Sequence, residues 1–161
     1  MIVFRIDADE GALRAIPSRL TQLGADLSDM RPYWPAALVE ARGVLRDAFE
    51  SEGATGQSGR WPALDPSYAR WKARKYPGAK ILERTGRLRA SLRSSSEQTV
   101  TSEPQKLTIR SEVPYGGYHQ RGIGQKRRPP WSPTRADANR IVSAITREIR
   151  RRLVSTFQRA A

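Results

Sequence analysis

The residues best suited to chemistry or binding are concentrated in one stretch, from Tyr115 to Trp131, which reads YGGYHQRGIGQKRRPPW. It contains the single histidine, four of the twelve glycines and one of the four tryptophans of the chain. Its Lys126-Arg127-Arg128 triplet is one of two runs of three consecutive cations in the sequence, the other being Arg150-Arg151-Arg152. Glycine and proline specify backbone turns, while aromatic and cationic side chains supply contacts. The pattern is typical of a binding loop presented on a scaffold.

Catalysis in this stretch would depend on His119 alone. The chain has no cysteine, and it has no small-x-Ser-x-Gly nucleophile elbow. A lone histidine in a glycine-rich aromatic segment is more often a hydrogen-bonded structural group or an interface contact. We therefore predict that the protein is not an enzyme and has no catalytic residue.

The sequence also does not match the known cofactor-binding and metal-binding motifs. Gly122-Ile123-Gly124 begins like a dinucleotide-binding GxGxxG motif, but the sixth position is Arg127. The likelier role of these glycines is a turn between a strand and a loop. No HExxH pair, no Cys/His pair and no acidic loop with calcium spacing occurs. We predict neither a cofactor nor a metal site.

The charge of the chain favours anionic partners. Lys and Arg number 29 against 16 Asp and Glu, which gives a net charge of +13. A field of this size attracts nucleic acid, an anionic membrane or an acidic protein surface, although a solvated basic surface is the alternative. The excess is concentrated between Lys126 and Ala161, where ten cationic residues accompany two acidic ones.

Tryptophans interleaved with cations raise the possibility of nucleic-acid binding. Trp71 lies between Arg70 and Lys72, and Trp131 follows closely on two arginines. Such neighbours can stack on single-stranded bases, but tryptophans at these positions equally suit a core or an interface. No helix-turn-helix, oligonucleotide-binding or RNA-recognition signature occurs. Sequence-specific recognition of bases is disfavoured, and sequence-independent nucleic-acid binding stays open as an alternative function.

Neither export nor membrane insertion is expected. No run approaches the ~20 apolar residues that cross a bilayer, and the start MIVFRIDADE does not resemble a signal peptide. The absence of cysteine fits a cytoplasmic assembly environment.

The first half of the chain predicts a strand followed by helices. A β-prone run covers Ile2 to Ile6. A helical apolar face then runs from Leu13 to Leu27 and is interrupted by Pro17. A second helix is predicted from Arg31-Pro32 to about Ser51, followed by a flexible connector over Gly53 to Gly59.

The second half predicts short helices, a hairpin and a long final helix. Asp65-Pro66 is a good helix start, and Thr85 can cap a helix of one or two turns that ends near Leu92. Segments 97–103 and 106–113 read as the two strands of a hairpin. Thr134 and Asp137 have the spacing of a capping box at the start of the last helix. Its apolar stripe comprises Ala138, Ile141, Ile145, Ile149 and Leu153.

From Trp61 onward, the order of these landmarks resembles a known family. Trp61-x-x-Leu64 is followed by Ile81-Leu82 and Thr85-Gly86-x-Leu88-x-x-Ser91-Leu92. Tyr115, His119-Gln120-x-Gly122 and Arg128-Pro129-x-Trp131 come after the hairpin. The ordered set resembles the phage virion morphogenesis family, the tail-completion proteins of Mu-like and P2-like phages. It covers roughly residues 59 to 155. Gly116-Gly117 and Pro130-Trp131 depart from the usual pattern.

The resemblance implies a structural protein of the virion tail or neck, made in the host cytoplasm. It would complete the tail and join it to the head as a ring, expected to be a homohexamer, around the DNA passage. Its partners would be the head–tail connector, tail tube or sheath proteins and, without sequence specificity, packaged DNA. The implied fold is α+β, with a small antiparallel sheet and central hairpin packed by N-terminal helices and a long C-terminal helix.

The 161 residues are expected to form one domain. Its parts would be an N-terminal strand and helices (1–58), the family-like region (59–155) and a basic tail (156–161). The residues assigned to DNA or an acidic partner are Lys126, Arg127, Arg128, Arg140, Arg147 and Arg151. Those assigned to subunit or tail interfaces are Tyr115, Tyr118, His119 and Trp131.

Overall fold

The structure, a computed structural model, describes residues 2–7, 28–93 and 96–160. Within these ranges it has three strands and five helices, and the α+β prediction is confirmed. The predicted helix from Leu13 to Leu27 lies outside the described residues. The strands are β1 (Ile2–Asp7), β2 (Gln98–Glu103) and β3 (Lys106–Ser111). The helices are α1 (Trp34–Glu50), α2 (Pro66–Lys75), α3 (Arg87–Arg93), α4 (Gly116–Arg121) and α5 (Arg135–Ala160).

The sheet is antiparallel, with the strand order β1-β3-β2. Both predicted hairpin strands and the N-terminal strand are confirmed. Side chains of the central strand β3 alternate between partly exposed and buried, and Leu107 and Ile109 enter the core. This alternation follows from the period-2 geometry of a strand with one covered face.

Helices α1 and α5 pack against each other and complete the core. The predicted helix ending near Ser51 is confirmed as α1, and one face of it enters the core through buried Trp34, Ala41, Leu45 and Phe49 and partly buried Leu38. The indole Nε1 of Trp34 also donates a hydrogen bond of 2.7 Å to the carbonyl oxygen of Glu103. This bond anchors the start of α1 to the end of β2.

The predicted caps at Asp65 and Thr134 form as the sequence indicates, whereas α3 begins at Arg87, so Gly86 and not Thr85 precedes its first residue. The Asp65 carboxylate accepts hydrogen bonds from the backbone N–H groups of Ser67 and Tyr68 at the start of α2. At the start of α5, the Thr134 backbone N–H donates to Asp137 Oδ2 at 2.9 Å, and the Asp137 N–H donates back to Thr134 Oγ1. This reciprocal pair satisfies backbone donors that a helix start leaves unpaired.

The connector from Gly53 to Gly59 is not the flexible linker that its composition predicts. The backbone N–H of Gln57 donates to the Ser132 carbonyl oxygen at 2.9 Å, and the Ser58 N–H donates to Ser132 Oγ at 2.8 Å. Gly53 has φ +85° and lies so close to Trp61 that an added Cβ would be 2.4 Å from Trp61 Cδ1. The glycines therefore allow tight packing between the end of α1 and the segment before α5.

Within the described residues, no helix combines the length and the apolar character that a membrane span requires.

Candidate functional site

The first part of the Tyr115–Trp131 stretch is a helix, which corrects the prediction that this whole segment is a loop. Helix α4 occupies its first half, and Gly116 and Gly117 are buried in its first turn. Gly122 ends the helix in the left-handed conformation with φ +77°, and a Cβ there would lie 2.9 Å from Arg127 Cβ. The absence of a side chain at Gly122 thus allows a tight turn at the end of α4.

Next to α4 lies an open cleft of about 980 Å³. Its walls come from three segments: the start of α2 with the residues before it, residues 82–87, and α4 with the loop that follows. Five of the ten predicted contact residues line it, namely Tyr115, Tyr118, His119, Lys126 and Arg128. The fold therefore gathers half of the predicted set into one place, and we take this cleft as the candidate functional site.

Arg128 has a structural role in this site, although the sequence assigned it to DNA or an acidic partner. Its residue is only 7% exposed. Its Nε donates to the carbonyl oxygen of Pro62 at 2.8 Å, and its Nη2 donates to that of Ala63 at 2.9 Å. Burial lowers the pKa of the guanidinium from its usual value. Arg128 therefore clamps the segment after Trp61 and presents little of its charge at the surface.

His119 is half-buried at the inner side of the cleft. Its ring lies edge-on to that of Tyr115, with 6.2 Å between the ring centroids. Its carbonyl oxygen accepts a hydrogen bond of 3.0 Å from the Arg128 backbone N–H. The Nδ1 atom is buried and has no hydrogen-bond partner among the described residues. Burial, together with the positive charge of Arg128, lowers the pKa of His119, which favours the neutral imidazole.

Arg127 and Trp131 do not line the cleft. Arg127 is exposed, and its Nε donates to the carbonyl oxygen of Gln120 at 3.1 Å. Trp131 packs against the hydrophobic core. The amide side chain of Gln120 holds the Trp131 backbone, donating to its carbonyl oxygen at 2.8 Å and accepting from its N–H at 3.1 Å. Trp131 is thus partly buried by contacts within the protein.

The three predicted arginines of α5 lie apart from the cleft, and two of them, Arg140 and Arg147, face acidic residues of α1. Arg140 is 3.2 Å from Glu40 and 3.8 Å from Asp47, and it also approaches Asp137 of its own helix at 3.5 Å. Arg147 is 3.8 Å from Glu40. The basic face is therefore partly neutralised. The two acids and the two arginines are each seven residues apart, about two helical turns, so the pairs can face each other once α1 and α5 pack together.

Arg151, the third predicted arginine of α5, pairs within the helix. Its Nη2 lies 2.7 Å from Glu148, which also receives Arg152 at 2.7 Å. Hydrogen bonds from Arg151 and then Arg152 lower the pKa of Glu148 to about 2. Arg152 in addition lies over the ring of Tyr33, 5.6 Å from its centroid. These contacts join the distal part of α5 to the segment before α1.

Sequence reasoning missed two components of the site. Arg84 lines the cleft from the segment before α3, which is distant in sequence from the contact residues predicted in the Tyr115–Trp131 stretch. Helix α2 contributes Tyr68, which stacks on Trp71 with 5.4 Å between ring centroids. Among the residues of α2, only Lys72 is buried. No local pattern links Arg84 or Tyr68 to Lys126, so only the tertiary structure brings them together.

The motifs that carry the family resemblance form one connected structural unit. Trp61 is buried against Phe49 and donates from Nε1 to the carbonyl oxygen of Pro129 at 3.1 Å. Leu88 and Ser91 are buried, and the Ser91 hydroxyl lies 2.6 Å from that of Ser111. With the Arg128 clamp and the Gln120 bonds, these contacts tie the separated motifs to each other. The motifs that resemble the family therefore hold the fold together and form part of the walls of the cleft.

These features define the class of protein: a small α+β domain with a basic, aromatic cleft. The particular family follows from comparison with known proteins. The model of the phage virion morphogenesis family matches residues 11–159, and the chain belongs to that family. The match begins well before the region in which the motifs were recognised. No curated protein and no solved structure matches the chain.

Proposed function

We propose that this phage virion morphogenesis protein completes the tail and joins it to the head, as an oligomeric ring at the neck around the DNA passage. The observation that carries the proposal is the family match over residues 11–159, which is nearly the whole chain. In this function the protein is structural, and its surfaces serve assembly. The proposed partners are further copies of the chain, the head–tail connector and the proteins of the tail tube or sheath.

An open sheet edge supports self-association. Within the described residues, β2 pairs only with β3, and its outer edge carries no strand. Five of its six residues are exposed, and the strand has neither lysine nor proline. Edge strands usually carry such residues because unpaired backbone groups attract other chains. A neighbouring subunit that covered this edge would satisfy its backbone hydrogen-bonding groups.

The net charge of +13 supports a position around DNA. A ring repeats this charge in every subunit, and a positive field lowers the electrostatic cost of passing a polyanion. Exposed Arg127, which lies outside the cleft, is the strongest candidate to contact DNA, since the predicted arginines of α5 have acidic partners. These contacts would be made to phosphates and would not depend on sequence.

The experiment uses the purified full-length protein and tails assembled without it. Mass photometry and negative-stain electron microscopy would measure whether the protein forms rings, alone or on the tail end. Addition of the protein should produce tails of defined length that attach to filled heads. A protein that stays strictly monomeric with tails present, and leaves the tails unable to join heads, would refute the proposal.

Sequence-independent nucleic-acid binding is the second candidate function, and the net charge favours it. If phosphate contacts dominate, the DNA affinity of the free subunit should fall steeply as salt rises. The slope of log K against log salt, measured with unrelated duplexes, tests this. Negligible affinity at moderate salt would exclude this candidate and still allow a positive ring lumen.

A further inference from the structure

The mouth of the cleft carries a concentration of exposed apolar side chains. Tyr115 is 38% exposed, Tyr118 is 49% exposed and Ile123 is 50% exposed, and all three line the cleft. Tyr68 borders it from α2. Large apolar groups grouped around a concave surface mark interaction sites more strongly than the same groups scattered singly. The cleft therefore offers apolar contact area to a partner.

The charged groups of the cleft are strongly asymmetric. Five cationic side chains line it against a single carboxylate, and these residues are Lys72, Arg84, Arg87, Lys126, Arg128 and Asp65. Asp65 is the cap of α2, and its carboxylate accepts hydrogen bonds from the Ser67 and Tyr68 N–H groups. The one acid is thus occupied in holding the helix start.

Three of the five cations already have hydrogen-bond or ion-pair partners within the protein. Lys72 is buried and donates from Nζ to the carbonyl oxygen of Lys80. Arg87 forms a fork with Glu97, and Arg128 clamps two backbone carbonyls as described above. These three side chains shape the cleft, and an ion pair with a ligand would compete with the contacts that they already make.

Arg84 and Lys126 differ from the other three. Both side chains belong to exposed residues, and neither forms an ion pair or a hydrogen bond in the described part of the chain. Lys126 acts on the Asp65 carboxylate only at longer range: the hydrogen bond from Ser67 lowers the pKa of Asp65 most, and the charge of Lys126 is the smallest of the contributions that lower it. They reach the cleft from two segments that are about forty residues apart in sequence. The fold therefore places two positive charges, neither in an ion pair among the described residues, beside the exposed tyrosines.

We propose that this cleft binds an acidic segment of a partner protein, whose carboxylates pair with Arg84 and Lys126 while its apolar side chains pack on Tyr115, Tyr118 and Ile123. The volume of about 980 Å³ accommodates a few residues of extended chain. A nucleic acid fits less well, because its binding needs a track of cations along the backbone. This inference rests on the proposed function only in that the partner would be another virion protein.

The test uses the full-length protein and a short fluorescein-labelled peptide of alternating glutamate and leucine residues. Fluorescence anisotropy would compare the wild type with the double variant R84E/K126E. The charge-matched control is R60E/R150E, which reverses two exposed cations outside the cleft. We expect R84E/K126E to weaken binding by about tenfold or more and R60E/R150E to weaken it by less than about twofold. Equal weakening by both variants would overturn the proposal, because diffuse charge would then explain the binding.

Three further measurements define the chemistry of the ligand. Tyr118→Ala should weaken the same peptide several-fold, whereas Val39→Ala, on the exposed face of α1, should leave its affinity unchanged. A peptide of alternating glutamine and leucine should bind poorly. If a short single-stranded oligonucleotide displaces the acidic peptide and loses affinity in R84E/K126E but not in R60E/R150E, the cleft is a nucleic-acid site and the proposal is wrong.

The design distinguishes a loss of peptide binding from a loss of folding, and peptide binding from tail completion. Circular dichroism and thermal unfolding check each variant, and R84Q/K126Q replaces the reversal if the latter fails to fold. The peptide assay measures binding to the cleft in the isolated protein, whereas tail completion is measured with assembled tails and filled heads. Peptide binding can therefore hold while the head–tail proposal fails, and the reverse outcome is equally distinguishable.

Discussion

Replacing Arg128 by lysine tests whether this residue is a structural clamp or a surface contact. The substitution keeps the positive charge, but a lysine has no planar fork and cannot reproduce both hydrogen bonds to the Pro62 and Ala63 carbonyls. A hydrogen bond from a charged donor contributes ~1.5–3 kcal/mol. With one of the two bonds lost in a side chain that is only 7% exposed, we expect a loss of about 2 kcal/mol in the free energy of unfolding.

Urea unfolding followed by tryptophan fluorescence measures this loss, because Trp61 bonds to the residue that follows Arg128 in the chain. With an m-value of about 2 kcal/mol per M, the midpoint should fall by about 1 M. Arg127→Lys is the matched control, since Arg127 is exposed, and a substitution of this kind changes stability by less than about 0.5 kcal/mol.

DNA affinity provides the second readout for the Arg128→Lys variant. If Arg128 is a clamp, its conservative substitution should leave the affinity and its salt dependence unchanged while stability falls. The clamp interpretation is refuted if the urea midpoint stays within about 0.2 M of the wild type and DNA binding weakens instead.

Three further predictions follow from other contacts. Gly53→Ala should cost at least about 2 kcal/mol in chemical unfolding, because the residue has positive φ and the new Cβ would overlap Trp61; a stability equal to the wild type would contradict the close approach. The single histidine, His119, should titrate below its ordinary pKa of about 6.5 in ¹H NMR. Since the unfolded chain then binds more protons, the free energy of unfolding should rise with pH from the folded pKa to about 6.5, and a midpoint above 6.5 would refute this. Thr101→Lys, on the exposed edge strand, should reduce the mass of assembled particles in mass photometry without lowering the melting temperature, and unchanged assembly would exclude that edge as an interface.

Most helices and strands of the described ranges were predictable because their signals are local. The alternation through Leu107 and Ile109 indicates a strand, and the caps at Asp65 and Thr134 mark helix starts within three residues. Helix α4 was not predictable, because Gly116 and Gly117 disfavour a helix by propensity. Their burial shows that packing against the rest of the domain overrides that preference.

The candidate site was predicted only in part. Tyr115, Tyr118, His119 and Lys126 are close in sequence, so a local pattern could group them. The opposite wall could not be predicted, because Arg84 reaches the cleft from a distant segment. The role of Arg128 was also hidden, since its partners lie 65 and 66 residues away.

The sequence alone determined the class of fold, the family pattern and the excess of positive charge, because periodicity, capping and composition are properties of neighbouring residues and of the whole count. Only the tertiary structure decided which of those charges are available to a partner. It buries Arg128 on backbone carbonyls and sets Arg140 against Glu40, 100 residues away. It leaves Arg84 and Lys126 in one cleft without an ion-pair partner among the described residues. Availability depends on desolvation and on contacts across the fold, and no local spacing encodes either of them.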